Sequence, residues 1–315
     1  MSSAEGSQSA LRAAGPVAET LLGVSGVLVA GASLIFVAMM ALLVLALRSR
    51  SARVKVRRWV IGGGVAFPAV VLAALFVYSE WHKPPWRVAP PKEALIVGVT
   101  ARMWWWEVRY RDPRSGAEVV TANELRIPAG RPVYIGLSSA DVIHSFWVPS
   151  LAGKMDMIPG RVQHLQLHAH RAGVWRGQCA EFCGEQHARM ALHVVAEEPA
   201  DFDAWLATQA RPATVADGAP DAAVVRGRDA FLAHRCNACH TVRGVSEERS
   251  LGPDLTHVGS RLYLGAGTVA NEPPQLAAWV AHTQQIKPGA HMPSSDQRID
   301  DADLQAIARW LSQLK

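Results

Sequence analysis

Charge is what the early part of this chain lacks. No residue from Leu21 to Leu47 is charged, and none from Trp59 to Tyr78. Acid is missing from the loop between these runs, although it carries Arg48, Arg50, Arg53, Lys55, Arg57 and Arg58. At about 1.5 Å of rise per residue, the first run exceeds a hydrocarbon core of roughly 30 Å and the second just spans it. Both read as transmembrane helices, over about 21–47 and 59–79. Gly62, Gly63, Gly64 and Pro68 are better tolerated in such helices than in soluble ones. The first apolar run is far longer than the core of a signal peptide, and no basic segment closely precedes it, which argues against a cleaved leader. The basic loop belongs on the cytoplasmic side, so both termini and everything after Tyr78 face the periplasm or its equivalent. The net charge of +5 resides partly in this loop, so it carries little weight for nucleic acid, and none is expected as a partner.

Cysteine is scarce too: four in 315 residues, in two close pairs, Cys179 with Cys183 and Cys236 with Cys239. An even count in an exported region ordinarily points to disulfides, but the residues around each pair argue for other chemistry. Aromatics make up 7% of a chain that is 50% hydrophobic, its apolar residues are concentrated near the N-terminus, and there is no internal repeat. The length allows two folded units beyond the anchor. Residues 1–93 therefore form the N-terminal segment with its helical hairpin, ending in a stiff, proline-rich exit over 81–93. Over 94–198, short β-branched and aromatic runs (95–99, 133–137, 142–148, 162–167, 192–195) alternate with turn-formers such as Asp112-Pro113, Ser115-Gly116 and Pro159-Gly160. This is the pattern of an all-β sandwich or barrel. Residues 199–222 shift to Ala, Asp, Pro and Thr and read as a linker with one short helical stretch, 202–209. Residues 223–315 are helical in character, with Leu304, Ile307, Ala308 and Leu311 on one face behind Asp300 or Asp301 as N-cap.

Two thiols, an imidazole and a thioether fall within twelve residues: Cys179-Ala-Glu181-Phe-Cys183-Gly-Glu-Gln-His187-Ala-Arg-Met190. Soft sulfur and imidazole ligands favour copper, and a second thiolate makes a bridged pair of coppers feasible. His144, where a strand could end beside this loop, supplies a second imidazole. This combination resembles the dinuclear copper domain of cytochrome c oxidase subunit II. The resemblance implies an all-β, cupredoxin-like Greek-key barrel holding two copper ions. Cys179 and Cys183 would bridge the ions, with His144, His187, Met190 and the Glu181 carbonyl as outer ligands. It also implies that the Glu181 side chain faces a magnesium ion shared with subunit I. Trp104, first of the run Trp104-Trp105-Trp106, matches the family's tryptophan where electrons enter. Three consecutive indoles cannot all face one core from a strand, so at least one should be exposed. His164, His168, His170 and His193 lack any comparable framework and read as surface or core histidines.

Cys236-Asn-Ala-Cys239-His240 is a c-type haem attachment motif, with two thiols for the vinyl groups and His240 as an axial ligand. The loop around Leu251-Gly-Pro-Asp-Leu255 and the run His291-Met292-Pro293 look like those of small, all-α class I cytochromes c. By that likeness Met292 is the sixth ligand, with His291 a competitor and His257 a weaker one. The order of anchor, copper domain and cytochrome is similar to that of caa-type oxidases. It implies an electron-transfer subunit of the bacterial inner membrane, with no catalytic residue of its own. Such a subunit passes electrons from cytochrome c or an equivalent donor, through haem c and copper, to subunit I, where oxygen is reduced with proton translocation. Subunit III and membrane lipid are further partners. A copper-dependent nitric oxide reductase subunit and a membrane-tethered carrier without an oxidase partner remain as alternatives. Many family members carry a glutamate near the cytoplasmic end of the second membrane helix. This chain has none there, so no proton channel is assigned to it.

Overall fold

The structure, a computed structural model, describes residues 8–49, 55–83, 90–91, 94–111, 116, 118–214 and 221–315. Arg50 and Arg53 of the basic loop, Pro84 and Pro85 of the exit segment and the Asp112-Pro113 turn lie outside the described residues. The chain divides into two compact units, one of them Val17–Trp86. That unit contains helix α1, Pro16–Arg48, and helix α2, Val56–His82, both long and apolar enough to cross a membrane. Within α2, Trp59–Ala66 is wound as a π-helix, in which the Phe67 N–H reaches the Gly62 carbonyl. Three glycines place no side chains in the widened turns. The π segment ends just before Pro68, whose ring would clash with the carbonyl four residues earlier in a regular α-helix.

The second unit begins with ten strands: β1 (Ile96–Arg102), β2 (Trp105–Arg111), β3 (Glu118–Ala122), β4 (Glu124–Pro128), β5 (Val133–Ser139), β6 (His144–Trp147), β7 (Met155–Met157), β8 (Gln163–Leu167), β9 (Gly173–Cys179) and β10 (Ala191–Glu197). They form two five-stranded sheets, in the orders β3-β2-β1-β5-β8 and β4-β10-β9-β6-β7. The pairs β1/β5 and β4/β10 are parallel and the others antiparallel. β5 alternates strictly between buried and half-buried positions, as a strand with one face on a core must. The sheets share a core that includes Val97, Val99, Val108, Leu125, Ile135 and Leu137. Across it Trp106 meets Phe146 edge to face, with ring centroids 5.8 Å apart.

Helix α3, Pro199–Gln209, is packed structure rather than linker. Phe202 and Trp205 lie against Tyr110, and Trp205 stacks under the Arg126 guanidinium. Its apolar spacing is short, which is why the surrounding Ala, Asp and Pro dominate the composition of this stretch.

The remaining elements are α4 (Ala222–Ala233), β11 (Tyr263–Leu264), β12 (Val269–Ala270), α5 (Pro273–Ala281), α6 (Thr283–Ile286) and α7 (Asp301–Gln313). The small hairpin β11–β12 is an addition to the all-helical expectation. Asp300 caps α7 by accepting from the Asp303 N–H at 2.8 Å. α4 and α7 cross in contact at Gly227, where an added Cβ would lie 2.1 Å from the Ala306 carbonyl oxygen and 2.8 Å from the Trp310 Cβ. Gly227→Ala is therefore expected to destabilise this helical domain by about 1–3 kcal/mol through overpacking. Thermal unfolding followed in the haem absorption band would show it as a lowered midpoint.

Candidate metal centres

Strand pairing brings the first donor set together. β6 starts at His144 and β9 ends at Cys179, and their antiparallel register opposes Phe146 to Cys179. The loop after β9 turns at Gly184, whose φ of +110° suits glycine, and closes where the Cys179 N–H donates to the Met190 carbonyl at 2.9 Å. Cys179 Sγ lies 3.8 Å from Cys183 Sγ and 3.8 Å from His144 Nδ1. Cys183 Sγ lies 3.6 Å from His187 Nδ1 and 3.9 Å from Met190 Sδ, and the Glu181 carbonyl oxygen is 3.2 Å from Cys179 Sγ. A disulfide needs sulfurs about 2.05 Å apart, so these cysteines are free thiols. Each sulfur has its own imidazole, and both sulfurs are buried. That donor set fits a soft, thiophilic metal.

Electrostatics prepare one thiolate. The bond from Cys183 pulls the Cys179 thiol well down, with His144 adding to the effect, while Cys179 and burial push the Cys183 thiol up. Burial opposes a charge on His144, but the contacts to Cys179 and Asp141 outweigh it and raise its pKa. His144 Nε2 donates to Asp141 Oδ1 at 2.7 Å, which turns Nδ1 toward the sulfurs. Asp141 is itself fixed by the N–H groups of Met103 and Val142, each at 2.7 Å. Carboxylates that orient a ligating histidine in this way set metal affinity. Asp141→Ala is expected to weaken copper binding about 10- to 100-fold, read in a competition titration with covalent haem content as the unaffected reference.

The Glu181 side chain is half-exposed and meets Lys154 at 3.7 Å. Trp104 lies in the turn before β2, with its Nε1 donating to the Cys183 carbonyl at 2.8 Å. Trp106 is fully buried, and Trp105 is half-buried beneath the Arg102 guanidinium. None of the three indoles is fully exposed, because Trp104 stands outside the strand and is covered from another side. His164 and His170 are exposed and His168 is half-buried. His193 is buried and stacks on Tyr263 at 4.2 Å, and burial pulls its pKa down to about 4, so it stays neutral at pH 7.

The second donor set lies in the helical domain. After Arg235, at φ +59°, the turn Cys236–Ala238 leads to His240, whose N–H bonds the Cys236 carbonyl at 3.1 Å. His240 Nδ1 donates to the Pro253 carbonyl at 2.8 Å, which leaves Nε2 as the coordinating nitrogen, and burial lowers its pKa. Gly252 packs so closely that an added Cβ would lie 2.7 Å from His240 Cε1. Met292 is half-buried against the cluster of Val280, Ala281, Ile299 and Leu304, and its carbonyl accepts from Gln284 Nε2 at 2.6 Å. His291 is exposed, and His257 is turned to the Arg211 carbonyl, 3.1 Å from its Nε2. One fixed imidazole, one sulfur in an apolar pocket and two free thiols suit a covalently held haem.

Comparison with known proteins separates the two parts. Residues 114–197 match the family described as cytochrome c oxidase subunit II, periplasmic domain, and residues 224–315 match cytochrome c. Cytochrome c oxidase subunit 2 of Alkalihalophilus pseudofirmus is 34% identical over 221 residues, which are 70% of this chain and 61% of that protein. In these two parts the chain is similar to cytochrome c oxidase subunit II and to cytochrome c. Its counterpart in Bacillus subtilis is 30% identical, over 71% of this chain and 63% of the relative. The match thus spans about three-fifths of each relative's length. A solved structure, the periplasmic domain of subunit II of cytochrome oxidase from Bradyrhizobium japonicum, is 30% identical. It aligns over 38% of this chain and 96% of that domain, with a TM-score of 0.35. The two matched families imply copper and haem c as cofactors and a membrane-anchored protein with an external domain.

Proposed function

We propose that this chain is the electron-transfer subunit II of a respiratory cytochrome c oxidase. It takes electrons from an external cytochrome c or similar donor and delivers them to the oxygen-reducing subunit I. The observation that carries the reading is the pairing of one buried thiol with one imidazole, twice, around two sulfurs 3.8 Å apart. Cys179, Cys183, His144, His187, Met190 and the Glu181 carbonyl would hold two copper ions. Cys236, Cys239, His240 and Met292 would hold haem c. When bound, these groups supply one-electron redox chemistry. The chain's own contribution is to bury the thiols, set the imidazole orientation through Asp141 and Pro253, and fix Met292 through Gln284. The half-exposed Glu181 carboxylate is where a magnesium ion shared with subunit I would sit, and Phe182, 78% exposed beside it, suits an apolar partner surface. The helices α1 and α2 anchor it in the bacterial inner membrane, with the metal domains outside.

The test is electron paramagnetic resonance on the full chain, purified from membranes in its oxidised form, together with copper and haem analysis. Hyperfine structure from one electron shared over two copper nuclei, with one covalent haem per chain and co-purifying haem-copper subunits, is expected. A mononuclear copper signal, or no copper, would overturn the copper assignment. Purification without haem-copper subunits would replace the oxidase with a tethered carrier.

A further inference from the structure

The cytochrome domain is seated on the copper domain in this structure, and one buried cation stands where they meet. Lys287 is 3% exposed. Its Nζ donates to three backbone carbonyls, each at 2.8 Å, which come from three separate segments. Trp104 lies beneath the copper loop, Arg189 is in the loop between His187 and Met190, and Gly265 is in the tight turn of the cytochrome's β11–β12 hairpin. An ammonium has three N–H donors, so its hydrogen-bonding capacity is filled. Burial pulls its pKa down to about 7, with the neighbouring Arg189 adding to the shift. Among the described residues no carboxylate pairs with this cation, so its burial is compensated by the three bonds and what they connect.

The surrounding contacts converge on the same point. The Arg189 guanidinium donates back to the Ile286 carbonyl. The Ala191 N–H donates to the Ala266 carbonyl at 3.0 Å, and the Leu262 N–H donates to Glu124 Oε2 at 2.9 Å. The Trp104 ring fits between two glycines. Added Cβ atoms would lie 3.0 Å from it at Gly184 of the copper loop and 3.7 Å from it at Gly289 of the cytochrome. The segment Lys287–Met292 thus runs from the copper loop to the proposed haem ligand in six residues.

We propose that Lys287 is the positioning residue that locks the chain's own cytochrome onto the copper loop in a single register, with Trp104 enclosed between the two metal domains. This rests on the functional reading above and adds how its two centres are held together. An external donor then meets the cytochrome rather than Trp104, and the one electron lost by the haem is the one gained by the copper pair.

The test compares Lys287→Met with the unaltered full chain, loaded with haem and copper. Two readouts are taken. The first is amide hydrogen exchange at Ala191 and over 262–270. The second is the internal haem-to-copper electron-transfer rate after rapid reduction of the haem. Lys287→Met takes the donor from the Trp104 and Arg189 carbonyls and leaves Gly265 only its bond from Thr268, so exchange at these amides is expected to quicken about tenfold or more, with the internal rate falling by a similar factor. The haem spectrum, the copper signal and exchange within α4 and α7 should stay unchanged. Where Lys287→Met fails to fold, Lys287→Gln keeps an N–H donor at the site without the charge and is expected to give a smaller change in the same direction. Unchanged exchange, or faster exchange with an unchanged internal rate, would overturn the positioning role. Absence of copper or haem from the unaltered chain would instead sink the functional reading, and the exchange comparison would still decide the lock.

Discussion

Cys183→Ser is expected to erase the dinuclear copper signal while leaving one covalent haem per chain. Cys183 Sγ is the sulfur nearest three other donors, at 3.8 Å from Cys179, 3.6 Å from His187 and 3.9 Å from Met190. A serine hydroxyl is close in size but hard, and it does not bridge soft ions as a thiolate does. Cys179 with His144 remains, so the variant should either stay empty or bind one copper with mononuclear hyperfine structure. The haem pocket shares no donor with this site, and attachment at Cys236 and Cys239 should proceed. Copper analysis, electron paramagnetic resonance and a haem stain on the denatured chain together check the outcome. Loss of haem as well would mean that the two domains do not fold separately enough for their centres to be independent.

The donor residues were legible because each set is compressed into a short motif. Twelve residues carry four side-chain donors of the first set, and five carry the haem attachment. The anchor was legible for a similar reason, since membrane-length apolar runs have few other uses. What was not legible depends on contacts distant in sequence. Asp141 appears in the sequence only as a polar residue before a strand. Its role arises because the start of β6 is held beside Met103 by a fold that pairs β1 with β5. Strands β2, β3, β4, β7 and β9 lie outside the predicted runs because charged residues and glycine interrupt their apolar pattern, while sheet pairing and ion pairs such as Arg109 with Glu107 satisfy those residues. β10 is buried along nearly its whole length, as a strand covered on both faces must be. The helix α3 and the stacked Tyr263 supply the second cover. Lys287 gave no signal at all, because a single lysine in a loop reads as a solvated charge until three carbonyls are placed around it.

Met292→Leu is expected to leave copper and covalent haem in place while removing the sulfur proposed to hold the haem iron. Leucine keeps the volume that packs against Val280, Ala281, Ile299 and Leu304, so the domain should fold with little loss of stability. The sulfur is what disappears. The oxidised haem should then shift from low spin toward high spin, accept carbon monoxide when reduced, and titrate at a lower potential, since a methionine opposite histidine raises it. A lower potential makes the haem a stronger reductant, but a vacant position lets water bind and raises the cost of reorganisation. Internal transfer to copper should therefore slow even though its driving force grows. His291→Ala separates the competing assignment. His291 is exposed, whereas Met292 packs against the buried cluster, so removal of His291 should leave spin state and potential as they were. A low-spin Met292→Leu haem that becomes high-spin only when His291 is also removed would assign the sixth position to His291. The loop held by Gln284 would then have to turn by one residue to present it.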